Sequence, residues 1–133
     1  MERKGLRIAV LAAAVVMSAA TARAQMPAGD AARGEQVFKK CSACHSAEPG
    51  KHKVGPSLYG VVGRKAGSTD FSRYVGLKGA DFVWTEENIF EYLPDPTAFI
   101  KSKTSNPRSG MAYKLPDAQD RADVIAYLKT LSN

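Results

Sequence analysis

The sequence predicts a small all-α fold, with three to five helices joined by long loops. Apolar residues recur at three- and four-residue spacings in separate stretches near both ends of the chain. Little of the chain shows the alternation of apolar and polar residues that indicates strands. Between the helical stretches, closely spaced glycines interrupt every periodic run. The 133 residues are enough for one domain.

The first helix is predicted over Ala31 to Lys40. Asp30 is a residue type favoured at the N-cap, and Val37 and Phe38 lie on the apolar side of the helix. The helix therefore leads directly into Cys41.

A second helix is predicted to begin after Thr85. Thr85 is a suitable N-cap, and Glu86 and Glu87 follow it at the positive end of the helix dipole. Pro94 ends this helix, and the stretch from Asp95 to Ile100 forms one further turn.

The last helix is predicted to begin near Pro116 or Asp117 and to continue to about Leu131. Its apolar residues fall on one face: Ala122, Val124, Ile125, Leu128 and Leu131. The preceding stretch from Lys101 to Gly110 is polar and turn-like, so we expect a loop there.

A long loop region is predicted from Ala47 to Asp81, which is rich in Gly, Lys and Ser. A loop of this length inside a compact domain normally argues against the assignment of elements around it. The exception is a loop that packs on a surface supplied by a bound group rather than by its own side chains.

The first 24 residues have the form of a cleaved secretory signal peptide. Arg3, Lys4 and Arg7 precede the apolar run from Ile8 to Ala20, and Ala22-Arg23-Ala24 has the small-x-small form of a cleavage site. The run of 13 residues is short for a membrane span, which needs about 20. We therefore expect residues 25–133 to form a single exported domain in the periplasm, with an uncleaved membrane anchor as the alternative.

Removal of the leader changes the charge of the chain. The formal net charge of +6 falls to +3, because the leader carries four of the 19 basic residues and one of the 13 acidic ones. A weakly basic exported protein is not expected to bind nucleic acid.

The segment Cys41-Ser42-Ala43-Cys44-His45 predicts the chemistry of the protein. A C-x-x-C pair followed by His is the attachment site of c-type haem, with two thioether anchors and one axial ligand to the iron. A zinc site would be short of ligands, since the chain has only two Cys and two His. A thioredoxin-like motif requires a β-α-β setting. A disulfide across two intervening residues would be strained and would close a very small loop.

The residue opposite His45 decides what a haem protein does, because an open iron position allows gas binding or peroxide chemistry and a filled one favours electron transfer. Met111 is the one methionine in the body of the chain, and it lies in a polar loop rather than in an apolar stripe. Met111 is therefore the favoured sixth ligand and His52 is its rival. A methionine is otherwise often a core filler.

Further motifs follow one another along the chain in the order that is typical of a known protein family. They are Gly34 and Phe38 before the Cys41 motif, Gly55-Pro56-Ser57-Leu58-Tyr59-Gly60, Gly63-Arg64-Lys65-Ala66-Gly67, Trp84, Glu91-Tyr92-Leu93, Met111-Ala112-Tyr113 and Val124-Ile125-Ala126-Tyr127-Leu128. Over Gly29 to Leu131 the chain resembles a class I c-type cytochrome, nearest to the bacterial cytochrome c2 group and its mitochondrial relatives.

This resemblance implies a class I cytochrome c fold wrapped around one covalently bound haem c, with roles for individual residues. Cys41 and Cys44 would be the thioether anchors, and His45 and Met111 the axial ligands. The Pro56 carbonyl would accept a hydrogen bond from the His45 ring, which orients the ligand.

The resemblance also implies the walls of the pocket. Arg64 and Trp84, together with Tyr74, would contact the haem propionates, and Tyr92 would lie near the Met111 sulfur. Otherwise Arg64 is a solvated surface charge and Trp84 is ordinary core. Gly34 and Phe38 would pack on Val124 and Tyr127, where the first and last helices cross.

The predicted function is one-electron carriage between membrane redox complexes by a monomer that is neither an enzyme nor an integral membrane protein. Six lysines flank the two ligand segments: Lys39, Lys40, Lys51, Lys53, Lys101 and Lys103. Such a basic ring would steer the carrier to acidic docking surfaces, on a cytochrome bc1-type donor and on a reaction centre or terminal oxidase as acceptor. The alternative function is a haem enzyme or gas sensor with a displaceable Met111.

Overall fold

Four α-helices form the protein in a computed structural model that describes residues 25–132. They are α1 (Ala31–Phe38), α2 (Glu86–Tyr92), α3 (Pro96–Lys103) and α4 (Ala118–Lys129). Within the described residues, β-type pairing is limited to one isolated antiparallel bridge between Lys65 and Val83. The predicted all-α class is confirmed, whereas the predicted signal peptide lies outside the described residues. No helix among residues 25–132 is long and apolar enough to cross a membrane.

Each helix begins at a side-chain cap. Asp30, Thr85, Asp95 and Asp117 each accept a hydrogen bond from the backbone N–H three residues later. Such caps satisfy amide groups that have no partner within the helix. The predicted caps Asp30 and Thr85 are confirmed.

Two predicted helix boundaries need correction. α1 ends at Phe38 rather than Lys40, because the following amides bond three residues back, with Lys40 N to Val37 O at 3.0 Å. The expected single turn after Asp95 is instead the helix α3, so Lys101 and Lys103 lie in its last turn and not in a loop. Pro96 at its start and lysines at its negative end favour this helix, and Phe99 and Ile100 bury its apolar side.

Helices α1 and α4 cross at a glycine. A Cβ atom at Gly34 would lie 1.9 Å from the backbone oxygen of Asp123 and 2.8 Å from Cβ of Tyr127. Beside this contact, the rings of Phe38 and Tyr127 lie 5.3 Å apart, measured between their centroids. The predicted crossing is therefore present, with the Asp123 backbone rather than Val124 against Gly34.

A buried carboxylate fastens the same crossing. Asp123 accepts hydrogen bonds from Asp30 N at 2.8 Å, Arg33 Nε at 2.9 Å and Gln119 Nε2 at 2.9 Å. Its side chain is only 3% exposed. Chiefly because of the hydrogen bond from Arg33, the pKa of Asp123 falls to about 2.

The depressed pKa makes Asp123 a source of acid-sensitive stability. Asp123 ionises more readily in the folded protein than in the unfolded chain, so its contribution is complete above about pH 4 and disappears as the pH falls through about 2. After allowance for the exposed Arg33 partner, we expect Asp123→Asn to lower the free energy of unfolding by about 2 kcal/mol at neutral pH. Denaturant titration of the variant should show this loss, and its free energy of unfolding should decline less than that of the original chain between about pH 5 and about pH 2.

Asp120→Asn is the matched control on α4, because Asp120 forms an exposed ion pair with Lys40 at 3.6 Å. Such pairs contribute about 0–1 kcal/mol. Equal losses from the Asp120 and Asp123 variants at neutral pH would contradict the assignment.

The long loop between α1 and α2 is held by hydrogen bonds between its own distant parts and by one to the segment before Met111. Gly63 N donates to Trp84 O at 2.8 Å, and Ala66 N donates to Phe82 O at 2.9 Å. From the other side, Gly110 N donates to Val75 O at 3.0 Å. The loop thus borders a space that residues of helices α2 and α4 also line.

Candidate haem site

A cavity of about 540 Å³ lies between the loops and helices α2 and α4. This volume is within the range of sites for small molecules and cofactors. Nine predicted site residues line it together: Cys41, Cys44, His45, Pro56, Arg64, Tyr74, Trp84, Tyr92 and Met111. Residues distant in sequence are therefore brought to one apolar space.

The two cysteines lie on a tight turn directly after α1. Cys44 N and His45 N both donate to Cys41 O, at 3.0 and 2.9 Å. No disulfide joins the two cysteines, and burial raises the pKa of the Cys41 thiol. Among the described residues, no three His, Cys, Asp or Glu side chains come together as a metal site. The turn presents two thiols and one imidazole to the same cavity.

His45 is held in one tautomer. Its Nδ1 lies 2.7 Å from the Pro56 carbonyl oxygen, and since a carbonyl only accepts, Nδ1 carries the proton. The other nitrogen, Nε2, is then the unprotonated one and is available to a metal. Burial lowers the pKa of His45, which favours this neutral form. Gly55 packs flat on the ring, because a Cβ there would lie 2.4 Å from Cε1 of His45.

Met111 is positioned by Ser109, a residue that the sequence analysis did not single out. Ser109 Oγ accepts from Met111 N at 3.0 Å and is hydrogen-bonded to the Tyr92 hydroxyl, also at 3.0 Å. Ser109 N donates to Thr97 Oγ1 at 3.2 Å. The segment before Met111 is thereby fastened to both α2 and α3. No sequence signal distinguishes Ser109 from other loop serines.

Arg64 brings a positive charge to the cavity without a carboxylate partner among the described residues. Its Nη1 donates to the carbonyls of Ser57 and Tyr59, at 3.1 and 3.2 Å. Burial lowers the pKa of the guanidinium. No acidic residue of the described chain lines the cavity, whereas Lys40 and Arg73 also do. An anionic group inside the cavity would therefore be favoured beside Arg64.

Aromatic rings form the wall behind this charge. Trp84 is buried, and its ring lies 4.9 Å from Tyr92 and 5.9 Å from Phe99. Tyr74 is hydrogen-bonded through its hydroxyl to Thr69 Oγ1 at 2.5 Å. Trp84 and Tyr74 thus both line the cavity, as Arg64 does.

His52, the rival for the sixth position, is engaged elsewhere. Its Nδ1 accepts from Ser57 N at 3.0 Å, and its Nε2 lies 2.5 Å from Asp70 Oδ1. Both ring nitrogens therefore have partners, and His52 is absent from the residues that line the cavity. Met111 remains the candidate opposite His45.

The six predicted docking lysines are all exposed: Lys39, Lys40, Lys51, Lys53, Lys101 and Lys103. Of these, only Lys40 itself lines the cavity. Three apolar side chains that sequence reasoning missed also border the cavity while facing solvent: Val54, Val75 and Tyr113, with exposures of 68%, 43% and 46%. They form an apolar rim that is apparent only after folding.

The donor set of the cavity fits a c-type haem. Two thiols stand beside an oriented imidazole, and a thioether lines the same space. The Arg64 guanidinium, which has no carboxylate partner in residues 25–132, is available for the propionates. The remaining lining is largely aliphatic and aromatic, which suits a porphyrin ring.

Comparisons with known proteins agree with this fit. The family model for cytochrome c matches residues 31–132. Cytochrome c2 iso-1 of Rhodospirillum centenum is 48% identical over 118 residues, which cover 79% of this chain and 98% of that protein. Cytochrome c2 of Rhodospirillum rubrum is 41% identical and covers 97% of this chain and 98% of its own length.

Solved structures show the same likeness. The structure of cytochrome c2 from Rhodospirillum centenum has a TM-score of 0.74 at 44% identity, and it covers 79% of this chain and all of that one. Ferricytochrome c2 from Rhodopseudomonas palustris has a TM-score of 0.69 at 45% identity and covers 77% of this chain and 98% of that one. The chain therefore belongs to the cytochrome c family, similar to its bacterial cytochrome c2 members, and carries one covalently attached haem c.

Proposed function

We propose that the protein is a one-electron carrier in which His45 and Met111 are the two axial ligands of the haem iron. The observation that supports this most directly is that both side chains line one largely apolar cavity. His52, the other imidazole, is occupied by Ser57 and Asp70. With both axial positions filled, the site favours electron transfer over ligand chemistry.

The haem supplies an iron that gains or loses a single electron, and the chain sets the conditions. Cys41 and Cys44 anchor the ring covalently, and the Pro56 carbonyl holds the His45 imidazole in one orientation. Ser109 fixes the backbone of Met111, so little rearrangement would accompany a change of charge. The thioether and the apolar lining both favour the ferrous state and raise the potential.

The proposed carrier works between membrane complexes in the periplasm after removal of residues 1–24. The exposed lysines, of which Lys40 lines the cavity, offer positive charge, and the rim of Val54, Val75 and Tyr113 offers an apolar contact surface. This arrangement suits brief docking on acidic surfaces of a cytochrome bc1-type donor and of a reaction centre or terminal oxidase.

Ligand binding tests the proposed coordination. Carbon monoxide added to the reduced protein, or cyanide added to the oxidised protein, should bind slowly or not at all at neutral pH. The ferric spectrum should show the weak far-red band of a sulfur ligand. Rapid binding of either ligand, without that band, would favour a haem enzyme or gas sensor.

Salt dependence tests the docking surface. Oxidation by membranes that contain a terminal oxidase should slow steeply as ionic strength rises, because screening weakens charge steering. Lys101→Glu should weaken this dependence more than Lys129→Glu, since Lys129 is already paired with Glu86 at 3.2 Å. An oxidation rate that does not change with ionic strength would exclude steering of the protein by its lysines.

A further inference from the structure

The peptide unit between Pro56 and Ser57 connects the two histidines of the protein. Its carbonyl oxygen accepts from His45 Nδ1 at 2.7 Å, and its N–H donates to His52 Nδ1 at 3.0 Å. His52 Nε2 in turn lies 2.5 Å from Asp70 Oδ1. An unbroken series of hydrogen bonds therefore runs from a surface carboxylate to the candidate axial ligand.

The direction of every proton in this series follows from the groups themselves. A backbone N–H only donates, so Nδ1 of His52 must be its unprotonated nitrogen. The ring proton is then on Nε2, where it is donated to the Asp70 carboxylate. Asp70 is ionised at neutral pH, and the hydrogen bond with His52 holds its pKa below the ordinary value. All donors in the series thus point from His45 toward Asp70.

The members of this series are increasingly exposed from Ser57 to Asp70. The Asp70 side chain is 89% exposed, while the His52 side chain is 19% exposed and Ser57 is buried. The Phe71 ring contacts the His52 ring edge-on, with 5.6 Å between centroids. Hydrogen bonds in such a shielded series polarise one another. Negative charge at Asp70 therefore strengthens each acceptor in turn, as far as the Pro56 carbonyl.

We propose that Asp70 and His52 are positioning residues that tune the iron through His45. By strengthening the hydrogen bond from His45 Nδ1–H to Pro56 O, they make the imidazole a stronger electron donor and lower the reduction potential. This proposal rests on the proposed function, because it requires His45 as an axial ligand. It adds two residues outside the cavity that set the working potential of the carrier.

Plain charge effects must be separated from this mechanism. Lys51 and Lys53 flank His52 in sequence, and Arg73 donates to the Lys53 carbonyl at 2.6 Å, so several charges surround the series. Removal of any negative charge near the haem raises the potential through space. Replacement of neutral His52, however, changes no charge and breaks the series of hydrogen bonds.

A double-mutant cycle on the haem-loaded protein tests the proposal. Potentials are measured at about pH 8, above the usual titration range of histidine. Asp70→Asn and His52→Leu should each raise the potential, and the double variant should rise by less than the sum of the two. Asp70→Glu should restore part of the original value. Asp81→Asn is the control, because Asp81 is 97% exposed and paired with Lys65 instead.

The proton resonance of His45 Nδ1–H in the reduced protein gives a second readout. It should shift in the Asp70 and His52 variants and stay in place in the Asp81 variant, whereas a purely structural role would leave it unchanged in Asp70→Asn. His52→Asn replaces the leucine variant if the latter fails to retain haem. An unchanged potential in the His52 variant, or an equal effect of Asp70→Asn with and without His52, would overturn the proposal. Axial ligation itself is tested separately, by Met111 variants and ligand binding.

Discussion

Met111→Ala should abolish the far-red band of the ferric protein and open the iron to external ligands. Met111 is half-buried in the cavity wall, and no other thioether lines that cavity within the described chain. Alanine cannot reach the metal, so water or an added ligand would take the position. The potential should fall by a sizeable part of the roughly 0.8 V range that axial ligands span. Visible spectra, carbon monoxide binding and redox titration measure the three effects.

Met26→Ala is the matched control for this prediction. Met26 packs on the edge of the hydrophobic core and is not among the residues that line the cavity. Its removal should leave the spectrum and the potential unchanged. A Met111→Ala protein that kept the far-red band and still bound carbon monoxide slowly would contradict the assignment of Met111 as a ligand.

Local patterns predicted most of the helices, because their signals are contained in a few adjacent residues. Asp30 and Thr85 cap helices where expected, and the apolar spacing of α4 appears in its buried face. The length of α3 was underestimated because Phe99 and Ile100 are its only large apolar residues and polar residues follow them. Their burial depends on packing that no local pattern shows.

The predicted cavity residues converge for a different reason. The Cys41 motif and Met111 are recognisable by residue type. That they line one cavity was expected from the family resemblance and not from any periodicity of the sequence. Ser109 was missed because its role depends on contact with Tyr92, which is distant in sequence and lies in α2. The partners of His52 were missed likewise, as Asp70 is 18 residues away along a loop. Contacts between loops were the part of the site that the sequence predicted least well.

Positively charged side chains line the cavity, whereas the carboxylates of the described residues lie outside it. Lys40, Arg64 and Arg73 line the cavity, whereas no described acid does. Asp70 lies outside it and is linked to His45 through His52 in the proposed series. The apolar lining and nearby cations would favour a low positive charge on the iron, while the proposed series from Asp70 would oppose them. The working potential is then a balance that single residues can shift in either direction.

Gly34→Ala should destabilise the folded protein although alanine is the better helix former. In a helix that made no close contact, this change would stabilise by up to about 1 kcal/mol. Here the new Cβ would lie 1.9 Å from the Asp123 backbone oxygen, so α1 and α4 must separate. That separation would also disturb the hydrogen bonds from Asp30 and Arg33 to the Asp123 side chain. We expect a net loss of about 3 kcal/mol or more in the free energy of unfolding.

Gly50→Ala provides the control for this substitution. Gly50 has a φ of +67°, but a Cβ there would meet no atom within 4 Å. Its replacement should therefore cost only the conformational penalty of about 1–2 kcal/mol. Denaturant unfolding of the oxidised haem protein compares the two variants on the same scale. If Gly34→Ala were as stable as the original chain, the close crossing of α1 and α4 would be wrong, because no side-chain rearrangement can relieve a clash with a backbone oxygen.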